Sequence, residues 1–247
     1  MLTIMERRGA LRRGLLLAAL LAASFVHGAV ADEATRPVVV ELFTSQGCSS
    51  CPPADAYLRE LSRRSDVIAL AYHVDYWNYI GWVDPFATKE MTQRQRDYAR
   101  TLGQRYVYTP EMVIAGARHE DGTKREAIEK LIADARTAPP GPAITLSREG
   151  DGKMRVHIAA HDIARGEAIP IWLVNFDREH WTKIGQGENQ GRTLGDFQIV
   201  RSFRQIGSWR GETLDVDLAS EATKDGGCAV LLQRGGTGPI LAASMLR

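Results

Sequence analysis

The chain has 247 residues, with 31 Lys and Arg against 30 Asp and Glu, and three cysteines. That length suffices for two modest domains or one large one, and three cysteines are too few for a disulfide scaffold. A balanced charge without a Lys/Arg-dense block in the mature chain leaves no electrostatic footprint for nucleic acid or an anionic membrane surface.

At the N-terminus, Arg7, Arg8, Arg12 and Arg13 precede the apolar run Leu15 to Val26, and "AVA" at 29–31 offers small residues for cleavage. This pattern predicts a secretory signal peptide over residues 1–31, removed after Ala31. A transmembrane anchor needs about 20 predominantly apolar residues; the run is shorter and leads into the polar "DEATRP", so no stable membrane anchor is expected after cleavage. The protein is expected in the periplasm or outside the cell. Cleavage takes away four Arg and one Glu, leaving 27 basic and 29 acidic residues, a net charge of −2.

Residues 32–138 alternate apolar runs with helical patterns. "VVVELF" (38–43) and "VIALAYHV" (67–74) suit strands covered on both faces, and Ala54, Leu58 and Leu61 recur between them at helical spacing. This is a βαβ unit. A second helix is predicted from about Lys89 to Leu102, then a strand at "MVIAG" (112–116), then a closing helix marked by Ile128, Leu131, Ile132 and Ala135. A Pro/Gly linker follows at 139–142. From 143 to 247 seven short strands are predicted, around 143–147, 153–160, 169–176, 197–206, 213–218, 229–233 and 240–245, which reads as an all-β, sandwich-like second domain.

Between the first strand and first helix stands "TSQGCSSCPPAD". Strand, loop, Cys48-Ser49-Ser50-Cys51, then Pro52 opening a helix is a context in which a CxxC pair becomes redox-competent. The helix N-terminus favours an anion, which acidifies the Cys48 thiol; by this logic Cys48 attacks and Cys51 resolves. Two alternatives stand beside it. A structural bridge would close a tiny loop and remove little entropy from the unfolded chain. A metal site would need ligands beyond the pair, whereas Cys228 lies in the distal β region and the nearest downstream histidine in sequence is His73.

"VVELFTSQGCSSCPPAD", "AYHVDYWNYIGWVDPF", "YTPEMVIAG" and "GENQGRTL" together resemble an uncharacterised bacterial family of exported thioredoxin-like proteins, catalogued as domain of unknown function 1223, from about Pro37 to the C-terminus. The resemblance implies an α/β thioredoxin-like fold for the first domain and supplies no activity. The broader thioredoxin-like superfamily implies further site residues: Pro110 as a cis-proline facing the CxxC, with Thr109 before it, and Glu41, the acid interrupting an apolar strand, as a proton relay to the resolving cysteine.

Other features have plainer readings. His73 and Asp75, at a strand end where ligands gather in open α/β sheets, are read as a satisfied histidine and a helix cap. "YWNYIGW" (76–82) is either an apolar platform for a polypeptide or a buried plug, with the plug preferred. "GQGENQGRTLGD" (185–196) lacks the strand–Gly-rich–helix setting of a phosphate cradle, and Cys228, in an apolar strand, is read as an inert thiol. The functional expectation is an exported thiol–disulfide oxidoreductase acting on protein thiols and disulfides, with a redox partner protein as a second candidate partner, and requiring neither cofactor nor metal. A secreted binding module with a structural CxxC bridge and a thiolate metal-delivery protein are the alternatives.

Overall fold

The computed structural model describes residues 36–219 and 225–247. The expected signal peptide lies outside the described residues, which form one compact unit. In chain order the elements are β1 (Val38–Thr44), α1 (Pro52–Ser62), β2 (Val67–His73), a 3-10 helix (Asp75–Ile80), α2 (Lys89–Thr101), β3 (Glu111–Ile114), β4 (Arg118–Asp121) and α3 (Arg125–Arg136). Then come β5 (Ile144–Glu149), β6 (Lys153–Ile158), β7 (Ile169–Lys183), β8 (Thr193–Trp209), β9 (Leu214–Ala219), β10 (Gly226–Gln233) and β11 (Ile240–Leu246).

Eight strands make one mixed sheet in the order β11-β10-β7-β8-β2-β1-β3-β4, and β5-β6-β9 make a second, smaller one. β1 and β2 run parallel; β8 joins β2 in parallel through Ala71 and Ile199. This arrangement overturns the expected thioredoxin-like α/β domain followed by a separate β sandwich. The four strands before the Pro/Gly segment share one sheet with β7, β8, β10 and β11 from after it, and the fold is β-rich. The sequence pattern misled for a physical reason: a dense apolar strand announces burial on both faces, but nothing local states which strand borders it. β7 and β8 also run well past their apolar cores, to 15 and 17 residues, so the hairpin they form reaches far along the sheet.

Three apolar clusters follow the alternation of side chains along each strand. Val38, Val40 and Leu42 of β1, with Val67, Ala69 and Ala71 of β2, pack under Leu58 and Leu61 of α1 and Ile128 and Ile132 of α3. The alternate residues, Val39 and Phe43 with Ile68, Leu70 and Tyr72, meet Met91 and Tyr98 of α2 and Val174, Phe176 and Leu231 from the C-terminal strands. Ile171, Leu173, Val230 and Leu232 pack beneath Leu146, Val156 and Ile158 of the smaller sheet. Close approach of the two halves depends on Gly116, whose φ of +64° favours glycine and where a Cβ would collide with the carbonyl of Gly238.

Among the described residues no helix is long and apolar enough to cross a membrane.

Candidate functional site

The site is built where β1 ends and α1 begins. The chain leaves the sheet at Thr44 and turns through Ser45–Gly47, with Cys48 N–H donating to the Ser45 carbonyl at 3.1 Å. Cys51 then opens the helix in helical conformation, followed by Pro52. A proline there sacrifices no bond, because the first N–H groups of a helix lack intrahelical acceptors. Cys48 and Cys51 are joined by a disulfide, with Cα atoms 5.5 Å apart. Both cysteines are fully buried, whereas Ser49 and Ser50 between them are exposed.

The cover over the disulfide comes from far along the chain. Residues 184–192 form the tip of the β7–β8 hairpin. Asn189, itself fully buried, donates through Nδ2 to the carbonyls of Gln46 (2.9 Å) and Cys48 (3.0 Å). Glu188 accepts the Ser49 N–H at 3.2 Å. On another side stands the aromatic segment 76–82: Trp77 is half-buried and donates to Thr109 Oγ1 at 2.7 Å, and Trp82 donates to Gln46 Oε1 at 2.9 Å. Gly47 permits this closure, since a Cβ would stand 3.0 Å from that of Trp77. Tyr79 is 82 % exposed and no residue of the segment is fully buried, so it is a half-buried cover and not the buried plug expected from sequence.

Beneath this turn lies a buried set of titratable groups. His73, at the end of β2, holds Asp84 through Nδ1 at 2.7 Å and faces Asp196 of β8 through Nε2 at 3.8 Å. Asp84 also accepts the N–H groups of Gln46 and Phe86, each at 2.9 Å. Asp196 accepts Gln46 Nε2 at 2.7 Å. Asp55 is buried on the flank of α1, one turn after Cys51, whose carbonyl its N–H meets at 3.1 Å. Gln46 thus links the disulfide loop to two of the three carboxylates.

The charges of this set follow from its surroundings. Burial opposes a charged His73, but the neighbouring Asp84 carboxylate, its hydrogen bond and Asp196 prevail and raise the imidazole to about 9. Burial likewise opposes the Asp84 charge, and His73 with the two backbone N–H groups overcomes it, holding Asp84 below the usual carboxylate range. Asp55 is different: burial and then the nearby Asp196 push it up to about 7. Burial also raises Asp196. His73 Nε2 is buried without a hydrogen-bond partner, and the Thr44 hydroxyl beside Asp55 opposes the rise of its pKa. Three carboxylates therefore face one imidazolium in a space that favours retention of a proton.

The residues singled out from sequence fall in three places. The Thr109–Pro110 bond is cis, and Pro110 shares with Ala54 of α1 the space above Gly122, so this loop borders the helix that Cys51 opens. Glu41 goes elsewhere. It lies on the β1 face away from α1, where Arg94 binds it through Nε (2.9 Å) and Nη2 (2.7 Å) and Tyr98 donates to its other oxygen. Asp75 ties the 3-10 helix to α2, accepting from Thr92 Oγ1 at 2.6 Å. Cys228 is free and buried beside Met154, its thiol pushed up by burial. His73, read from sequence as a satisfied strand-end residue, belongs to the titratable set. Asp55, Asp84, Asp196 and Gln46 had no assigned role, although each stands inside or beside a quoted motif. Among the described residues no group of three or more His, Cys, Asp or Glu is arranged to hold a metal ion.

These features define a class: a β-rich protein with an eight-stranded mixed sheet and a covered CxxC disulfide above buried titratable groups. The chain belongs to the family described as Protein of unknown function (DUF1223), whose model matches residues 39–233. It is similar to the crystal structure of Protein AGR_C_4864 from Agrobacterium tumefaciens, with 37 % identity and a TM-score of 0.74, covering 85 % of this chain and 93 % of that one. HBP35 of Porphyromonas gingivalis shares the fold at 16 % identity and a TM-score of 0.58, covering 86 % and 75 % of the two chains. No curated protein matches the chain.

Proposed function

We propose that the protein is exported and exchanges electrons with protein thiols and disulfides through Cys48 and Cys51. The observation that carries this reading is the placement of the disulfide at a helix start directly above Asp55 and the His73 set. A helix N-terminus lowers the energy of a thiolate, and buried titratable groups with strongly shifted pKa values cluster at reactive centres. A client thiolate attacks the sulfur of Cys48, the bond to Cys51 breaks, and Cys51 leaves as a thiolate. A second client thiolate then displaces Cys48 from the mixed disulfide. The client gains a disulfide, the protein becomes a dithiol, and two electrons have moved; the reverse sequence oxidises the protein.

Burial of both cysteines requires the hairpin tip 184–192 to move aside before a client reaches them. Asn189 and Glu188 hold it by polar contacts that water can replace. The same burial favours a second reading, a structural bridge in a secreted binding module. Equilibration of the mature protein with glutathione mixtures separates the two. Exchange predicts reversible conversion between dithiol and disulfide at a potential above about −300 mV. A bond that stays oxidised under reducing mixtures while the protein remains folded refutes the redox reading.

A further inference from the structure

We infer that Asp55 is the proton donor and acceptor for Cys51, and that Asp196 and His73 set the pH at which it acts. The inference rests on the redox reading above and assigns the acid that the reaction needs. When the Cys48–Cys51 bond breaks, Cys51 leaves with the electron pair and takes the proton of the Asp55 carboxyl, which becomes a carboxylate. On reoxidation the Cys51 thiol returns that proton and its sulfur attacks the mixed disulfide.

Geometry carries the assignment. Cys51 has helical backbone angles and its carbonyl accepts the Asp55 N–H, so the two side chains stand at i and i+4 on one face, with Cβ atoms about 5–6 Å apart. Glu41, the buried acid of β1, is on the strand face away from α1 and is held by Arg94 and Tyr98. Asp55 makes no such ion pair. The groups facing it are Thr44 from β1, His73 from β2, Asp84 from the loop before α2 and Asp196 from β8. On its own helix, one turn on, the Arg59 guanidinium is drawn away over the Phe197 ring, 4.6 Å from its centroid. The cluster carries one cation for three carboxylates, so Asp55 retains its proton until about neutral pH, and His73 Nε2 reaches Asp196 only at 3.8 Å, too far for a hydrogen bond.

The test compares the rate at which dithiothreitol reduces the disulfide between about pH 5 and pH 9 in the mature wild type, Asp55→Asn and Asp196→Asn. Taking the ratio of rates cancels the titration of the reagent. The expected ratio of wild type to Asp55→Asn is tenfold or more on the acid side, in line with general acid catalysis, and falls through a break near pH 7. Asp196→Asn keeps the amplitude and moves the break to lower pH, because a like charge that raises Asp55 is gone. A merely structural carboxylate moves neither quantity. A ratio that is flat across the range, with the disulfide still reducible, overturns the assignment and leaves the redox reading standing. Resistance of the folded wild type itself to dithiothreitol removes both. If Asp55→Asn fails to fold, a ratio of wild type to Asp196→Asn rates that stays flat from about pH 5 to pH 9 overturns the assignment, because a moved break makes that ratio peak between the two breaks.

Discussion

Two polar networks are buried in this molecule, and they are opposites. Around Arg94, Glu41 supplies one negative charge for one positive charge. The remaining bonds are closed by Tyr98, by Gln233 Oε1 at 2.9 Å and by the Gly236 carbonyl at 3.3 Å, with the guanidinium also over the rings of Tyr72, Tyr98 and Phe203. Around His73 one imidazolium faces three carboxylates, and the charges do not balance. A charge-balanced network specifies packing; an unbalanced one stays responsive to protons. The contrast gives α2 a structural network and is consistent with the chemistry proposed for the CxxC loop, although both networks start from β1 and the residues just after it.

The largest expected effect breaks the balanced network. Arg94→Met leaves Glu41 buried and unpaired and is expected to cost about 3–5 kcal/mol, read by urea denaturation. Adding Glu41→Leu is expected to recover most of that loss; a double variant no more stable than the single one would show that the pair does not act as a unit.

The unbalanced network responds in the opposite sense. The native pKa of His73 is raised, so its contribution is present below about 6.5 and is lost as pH rises through about 9. Asp55 is also raised, so its protonated form favours the native state at low pH and this is lost between about 4 and 7. Asp55→Asn is therefore expected to stabilise the protein at pH 8, by about 1–3 kcal/mol, with no gain below pH 4. Thermal unfolding across pH checks it, and a loss of stability at pH 8 contradicts the assigned charge state.

The smallest effect concerns the cover. Asn189→Ala removes the two hydrogen bonds that join the hairpin tip to the disulfide loop, and the one accepted from Arg192 within the tip, at a cost of about 1 kcal/mol or somewhat more, and is expected to speed disulfide reduction by roughly the corresponding factor, about five to tenfold. Alkylation trapping during reduction measures it. An unchanged rate would mean that the tip does not limit access.

Much of this arrangement was legible in the sequence and some was not. Apolar density located β1, β2, β10 and β11, and the spacing of Ile128, Leu131 and Ile132 located α3, because those signals are local. The CxxC, the helix that follows it and the Thr109–Pro110 turn were legible for the same reason. Glu41 was misplaced because alternation says that it shares a face with Val39 and Phe43 without saying what covers that face. Asp55 was hidden by a bland alternative: an acid in the first turn of a helix is favoured by the helix dipole. Its burial depends on β8 lying beside α1, which is a fact of topology. "GENQGRTL" stood among the quoted motifs with no role; the structure shows it as the hairpin tip against the cysteines, so a motif distant in sequence belongs to the same site.

The position of β8 beside β2 also governs when the chain can fold. Until residues 193–209 arrive, one edge of β2 exposes its backbone N–H and C=O groups in a hydrophobic strand, the kind of edge that recruits other chains. Arg94 likewise waits for Gln233 to complete its bonds. The first 140 residues therefore lack a finished edge and a finished interior, and productive folding is postponed until almost the whole polypeptide is present, as expected where distant segments must meet before burial rewards them.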